Sequence, residues 1–475
     1  MLFNSFIFLI FLGVVLPVFY LLPNKKSKNL FLLVASYFFY GYWDWRFCFL
    51  ILISTLIDFF VGKSLVNKTG KQRKLLLGVS LLANLGILGF FKYFNFFIDS
   101  FSNLSESFGW SVDFLHLNII LPVGISFYTF QTLSYTIDIF RNELKPIDDI
   151  IDFALFVAFF PQLVAGPIER AKALLPQLSK KMKPSKEQVR TGVVLIVSGL
   201  FRKVLIGDTA GKYVDYIFGH MELYKSIELI SALILFSIQI YADFSGYSHI
   251  ARGTAKLLGV DLMINFRQPY LSRNITEFWR RWHISLSSWL KDYLYISLGG
   301  NRKGKIKTHT NLMSTMLLGG LWHGASWNFV IWGGLHGLYL TVHKMILGNR
   351  KIDKEGMKKI TIGNIINIFF TNVLVLFTWL FFRSKSWENT QLFIRKIVYW
   401  ESSDYSFWFI KVVFTYLLVI LLLDIPEYFN RERICFTMPK YKVGPLKYGI
   451  LTILFLITLA YMFQAKTSPF IYFAF

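Results

Sequence analysis

Two histidines of this chain stand where an imidazole has few ordinary reasons to be. His323 lies in Met316–Gly337, MLLGGLWHGASWNFVIWGGLHG, between Gly319-Gly320 and Gly324, and His336 lies in the same run between Gly334 and Gly337. Ionisable groups inside an apolar span are costly and usually face a cavity or a partner. The small neighbours let another helix, or a ligand, approach closely. An imidazole with a pKa of about 6.5 can take a proton from a hydroxyl and give it back, which is general acid–base work. The plain alternative for each ring is a hydrogen bond between helices. A third ring, His283, closes the string Thr276-Glu277-Phe278-Trp279-Arg280-Arg281-Trp282-His283. His343, beside Lys344, reads as interfacial, and His309 and His116 read as solvated loop residues. His220 and His249 stay open.

The string around His283 belongs to a basic segment, 265–307, with nine Lys or Arg against Glu277 and Asp292. Thr276–His283 reads as an amphipathic interfacial helix with Trp anchors and Arg heads. Arg forks suit phosphate. Arg280, Arg281, Arg302 and Lys303 are therefore candidates to dock an anionic donor such as a nucleotide-bearing thioester. The plain alternative is a membrane-surface charge bias. Other chemistries lack their signatures. There is no G-x-S-x-G elbow, Walker A loop or G-x-G-x-x-G, and no H-x3-D or H-x4-D. No HExxH or His pair at i, i+4 suggests zinc. Two cysteines, Cys48 and Cys435, form neither a disulfide framework nor a Cys-rich metal site. No metal is expected.

The elements that must position these residues are membrane helices. Of the 475 residues 54% are hydrophobic, 18% aromatic and only 17% charged, against about 25% charged in a soluble domain. Leu2–Leu22, Asn118–Ile139, Ile365–Phe382, Trp408–Leu423 and Tyr448–Phe463 are long enough, or nearly so, to cross about 30 Å of hydrocarbon. Backbone groups without water require them to be helical. Leu2–Leu22 has neither a basic leader nor a small-residue cleavage site and reads as a retained span. The net charge of +23 is spread over short loops, which argues against nucleic acid and for the positive-inside rule. The loop 98–117 has no Lys or Arg and reads as external, while 63–74, 141–145 and 267–307 read as cytoplasmic. Asp152–Gly166, ending PQLVAGP, is too short for a span and reads as a re-entrant or broken helix. The expectation is an all-α integral membrane protein, one domain over 1–475, with 11–12 transmembrane helices plus re-entrant and interfacial helices.

Four stretches together resemble the membrane-bound O-acyltransferase family: Leu121-Pro-Val-Gly-Ile-Ser-Phe-Tyr128, Phe160-Pro-Gln-Leu-Val-Ala-Gly-Pro167, Tyr241-Ala-Asp-Phe-Ser-Gly-Tyr-Ser248, and the pair TEFWRRWHISLSSWLKDYLYISLGGNR with LLGGLWHGASW. The similarity runs nearly end to end, including the terminal Ser468-Pro-Phe-Ile-Tyr-Phe-Ala-Phe475, and is narrower to the bacterial alginate and peptidoglycan O-acetyltransferase branch. It implies that His323 is the catalytic histidine and His283 the second recurrent one, with His336 as a helper. Asp243 and Ser245 are polar companions that the sequence alone does not place beside His323. It further implies acetyl-CoA as the cytoplasmic donor, with no bound cofactor. The acetyl group would pass to a periplasmic acyltransferase partner, with an alginate-, peptidoglycan- or cellulose-like polysaccharide as final acceptor, at a bacterial inner membrane. D-alanyl transfer to a cell-wall polymer, a polysaccharide transporter or flippase, and a non-enzymatic scaffold are the competing expectations.

Overall fold

A computed structural model describes residues 1–110, 116–164, 166–347, 359–429, 445–464 and 468–474. Expectations resting on Asp113, Ala165, Cys435 and Phe475 lie outside these residues. Every regular element described is helical, and five helical stretches are long and apolar enough to cross a bilayer: Lys25–Val66, Gly70–Ser107, Ser226–Leu257, Ile362–Arg383 and Ser406–Phe429. The chain is an all-α integral membrane protein. The first stretch folds back at Trp45–Phe47, because Lys25 pairs with Asp152 and Lys63 with Asp148, which places both its ends at one face.

That face gathers the basic loops. Arg73 donates to the carbonyls of Ile139 and Phe140 at 2.8 and 3.0 Å, Arg141 to the carbonyl of Asp292 at 3.2 Å, and Arg170 to the Asp292 carboxylate. The exposed turn Asn301–Lys307 opens the helix Gly304–His323, whose 20 residues climb about 30 Å to His323. The helix Trp327–Leu347 descends beside it, and Lys344 at its foot reaches Asn301 at 2.8 Å. The two backbones touch: a Cβ at Gly320 would overlap the Phe329 carbonyl oxygen, and one at Gly333 the carbonyl of Met316. Glycine is the residue that lets this hairpin close so tightly. His323 thus sits far from the basic face. The helix Gly70–Leu88 starts at that face through Arg73 and continues through Gly89–Tyr93 into Phe94–Ser107, and Lys92 already meets His323.

Single cysteines in place of the exposed Glu106 and Lys305, in a Cys48→Ser, Cys435→Ser background, should therefore react with an impermeant thiol reagent from opposite sides of sealed vesicles. Labelling from one side would refute this topology.

Two elements differ from their sequence reading, and one follows it. Asn118–Ile139 is not one span: the helix is Ile125–Phe140, almost wholly buried, preceded by irregular chain through Pro122 and the left-handed Gly124. Its apolar length reflects packing inside the protein rather than contact with lipid. Asp152–Gly166 is broken as expected, into Ile150–Ala158 and Phe160–Leu163 about Phe159, and the freed Phe156 carbonyl is taken up by the side-chain amides of Gln131 and Gln162. Thr276–His283 does contain a helix, Ile275–Arg281, but it is drawn into the core. Trp282 is fully buried against Phe278 and Trp379 rather than anchored at an interface. The helix Trp387–Val398, with an exposed polar face, escaped the sequence reading, because its apolar positions never form a run.

Candidate functional site

His323 is the last residue of its helix and lines a small cavity of about 70 Å³ together with Lys92, Gly124, Ser126, Trp322 and Tyr472. Its Nδ1 has no protein partner. A larger vestibule of about 710 Å³ adjoins this cavity and shares Lys92 and Leu121 with it. Ala325, Ser326, Arg383 and Lys385 line the vestibule, so it lies toward the face opposite the basic loops. An imidazole in the small cavity beside such a vestibule, with one nitrogen uncommitted, is placed for a hydroxyl arriving from that side.

His283 is buried close by. Its ring centroid lies 6.0 Å from Trp322, 6.4 Å from Tyr472 and 4.7 Å from Phe244, and neither nitrogen has a protein partner. Its backbone is left-handed, with φ of 42°, a conformation that costs a non-glycine residue energy and that clusters at functional sites. Asn265 holds it there, accepting from the Ile284 amide at 2.9 Å and, through its side-chain oxygen, from Ser285 at 2.6 Å. The indole N–H groups of Trp282, Trp322 and Trp332 also lack acceptors. Buried donors are nearly always satisfied in folded proteins, so this cluster offers hydrogen bonds to a polar guest.

His336 is different. The Trp279 indole donates to its Nδ1 at 3.3 Å, and its Nε2 lies 3.0 Å from Thr378 Oγ1, whose own proton goes to the Val375 carbonyl at 2.7 Å. Both ring nitrogens are engaged, which fixes a neutral Nε2–H tautomer. Its ring packs 4.7 Å from Trp332, which in turn packs 5.0 Å from His323. The arrangement orients a neighbour and leaves no nitrogen for a substrate.

Asp243 is engaged too. Its Oδ1 lies 2.9 Å from Lys203 Nζ, and its Oδ2 accepts from the Ile471 amide at 2.8 Å. Lys203 also reaches the Pro469 carbonyl at 3.1 Å, and Asn4 the Ser468 carbonyl at 3.0 Å. These bonds strap the C-terminal segment across the core. Tyr472 is thereby set 5.5 Å from the His323 ring. Asp243 holds the strap, not the imidazole. The contribution of Tyr472 was not foreseen, since a terminal tyrosine carries no local sign of what it folds against.

The basic candidates divide. Arg281 is committed: it donates to Glu277 at 3.1 Å, to the Arg267 carbonyl at 2.9 Å and to the Tyr428 hydroxyl at 3.3 Å. Arg280, Arg302 and Lys303 are exposed, as are Lys305 and Lys307. The foot of Trp327–Leu347 joins them, with His343 2.8 Å from Thr276 and Lys344 2.8 Å from Asn301.

The model of the membrane-bound O-acyltransferase family matches residues 140–387, which include all three buried histidines. The chain is 42% identical over 391 residues to the probable alginate O-acetylase AlgI of Pseudomonas putida, covering 81% of this chain and 78% of that one. It is 35% identical over 402 residues to the peptidoglycan O-acetyltransferase of Helicobacter pylori, covering 79% and 74%. Likeness to the teichoic acid D-alanyltransferase of Streptococcus thermophilus is lower, 27% over 252 residues, covering 50% and 60%.

Proposed function

This chain belongs to the membrane-bound O-acyltransferase family, and on that premise we propose that it is a bacterial inner-membrane O-acetyltransferase. It takes acetyl from cytoplasmic acetyl-CoA and delivers it, through a periplasmic partner, to a cell-surface or exported polysaccharide. His323 is the general base. The observation that carries this reading is the uncommitted His323 imidazole in a small cavity that adjoins a vestibule on the side away from the basic face. Donor and acceptor then reach one ring from opposite sides. Acetyl transfer is favoured over D-alanyl transfer by the greater likeness to the two O-acetyltransferases.

The chemistry is one proton shuttle. The acceptor hydroxyl oxygen adds to the thioester carbonyl carbon as its proton passes to His323. Collapse breaks the carbon–sulfur bond, and the proton goes to the departing CoA thiolate. His283 and the indole donors beside it would orient the thioester. The exposed cations at the cytoplasmic mouth would draw the anionic CoA.

The test is purified protein in proteoliposomes given radiolabelled acetyl-CoA, with CoA thiol release and label in the acceptor as readouts. Thioester consumption is expected. Movement of intact oligosaccharide without it would establish the transporter reading instead. Replacing Arg280, Arg302, Lys303, Lys305 and Lys307 with Gln, while sparing the structural Arg281, should raise the KM for acetyl-CoA more than it lowers kcat. The difference should shrink as salt rises. An unchanged KM would leave these charges as topology signals.

A further inference from the structure

Lys92 is the one Lys, Arg, Asp or Glu that lines both the vestibule and the small cavity of His323 among the described residues. It lies in the π-helical turn Gly89–Tyr93, one of three such turns among the described residues, within the candidate span Gly70–Ser107. Such turns are rare and concentrate at functional sites. The turn aims two side chains at the end of the His323 helix. Lys92 Nζ donates to the Trp322 carbonyl at 2.7 Å and to the His323 carbonyl at 3.0 Å, and Tyr93 donates to the Leu321 carbonyl at 2.9 Å. These are among the terminal carbonyls that a helix leaves without partners. An ammonium has three donors, and two are spent here. No carboxylate lies within ion-pair distance of this ammonium among the described residues. A cation inside a membrane is costly, is commonly held by backbone carbonyls as here, and by default marks a pathway or ligand site.

We propose that Lys92 is a further catalytic residue of the acyl transfer, holding a positive charge beside the acyl carbonyl so that its oxygen is stabilised as the tetrahedral intermediate forms. The inference rests on the acetyl-transfer reading above. As the acceptor oxygen adds to the carbonyl carbon, the C=O electron pair moves onto oxygen. The third Lys92 N–H meets that charge in a site where little water competes. When the carbon–sulfur bond breaks, the pair returns and the ammonium is unchanged. Fixed donors aimed at developing charge are worth about 10²–10³ in kcat each. The two carbonyl bonds hold the ammonium in place before substrate arrives.

The alternative is that Lys92 only caps the helix, and the substitutions separate the two. Lys92→Gln keeps hydrogen-bond donors for the carbonyls and loses the charge; Lys92→Met loses both. Both should lower kcat about 10²-fold or more, with the KM for acetyl-CoA nearly unchanged. Lys92→Cys, in the Cys48→Ser, Cys435→Ser background, should regain activity when alkylated with 2-bromoethylamine, which restores a primary ammonium at almost the original length. A Gln variant as active as wild type, or a folded, fully alkylated Cys variant that stays inactive, would overturn the assignment. Wild-type protein that never consumes acetyl-CoA would defeat the acetyl-transfer reading itself and this inference with it. Active wild type alongside active Gln defeats this inference alone.

Discussion

His323→Ala is expected to lower acetyl transfer by about 10²–10⁴-fold, the range general acid–base catalysis contributes, while leaving the protein inserted and folded. The second half of that expectation follows from what the ring does not do. Its Nδ1 has no protein partner, and its faces meet Trp322, Trp332, Phe382 and Tyr472, with ring centroids 5.0–5.5 Å away. Alanine would enlarge a cavity that already exists and would orphan no hydrogen bond. Affinity for acetyl-CoA should change little, because the exposed cations lie at the far end of the helix. His323→Gln is the sharper variant. An amide can donate and accept hydrogen bonds but cannot take up and release a proton near neutral pH, so it should be nearly as inactive as alanine. Label transfer from acetyl-CoA in proteoliposomes, with thermal stability as the folding control, measures both. A Gln variant transferring acetyl at close to the wild-type rate would reduce the ring to a packing element. His336→Gln provides the contrast, since its hydrogen bonds to Trp279 and Thr378 are ones an amide can partly replace. Its loss should be much smaller than that at His323.

What could be read in the sequence followed from residues whose cost is local. A histidine between glycines in an apolar run is expensive wherever that run folds, so His323 stood out, and one of the glycines that marked it, Gly320, closes the hairpin together with Gly333. The basic face was legible for the same reason, because charge counts survive without knowing which helices touch. What stayed hidden depends on partners remote in the chain. Lys92 was absorbed into the outward span beginning at Leu75, since one lysine scarcely dents the hydropathy of a 38-residue stretch. Tyr472 gains its place through bonds to Asp243, Lys203 and Asn4, residues more than 220 positions away. Arg281 looked as free as Arg280, and only the fold reveals Glu277, the Arg267 carbonyl and Tyr428 around it. Asn118–Ile139 misled through composition alone, because a core-buried helix and a lipid-facing span are equally apolar.

One charge is buried far from either mouth. Arg202, on the π-helical turn Phe201–Gly207, is almost fully buried and donates to Asp424 at 3.0 Å and to Glu427 at 3.3 Å. Gln268 adds a bond to Glu427 at 2.9 Å, which ties the triad to the loop leading into the His283 segment. Arg202→Met removes the cation that pairs with both carboxylates and leaves two acids in a dry core. Breaking a buried ion pair from one side costs about 3–5 kcal/mol, because the remaining charge stays desolvated and unpaired. The variant should therefore unfold at a clearly lower temperature in detergent and lose activity through the displaced His283 loop. Neutralising the acids as well should recover most of the loss. In Arg202→Met with Asp424→Asn and Glu427→Gln, no unpaired charge is left and the amides can still accept from Gln268. Coupled groups of this kind are expected to be strongly non-additive. A triple variant no more stable than Arg202→Met would mean that Arg202 contributes by its packing against Tyr241 rather than by its charge.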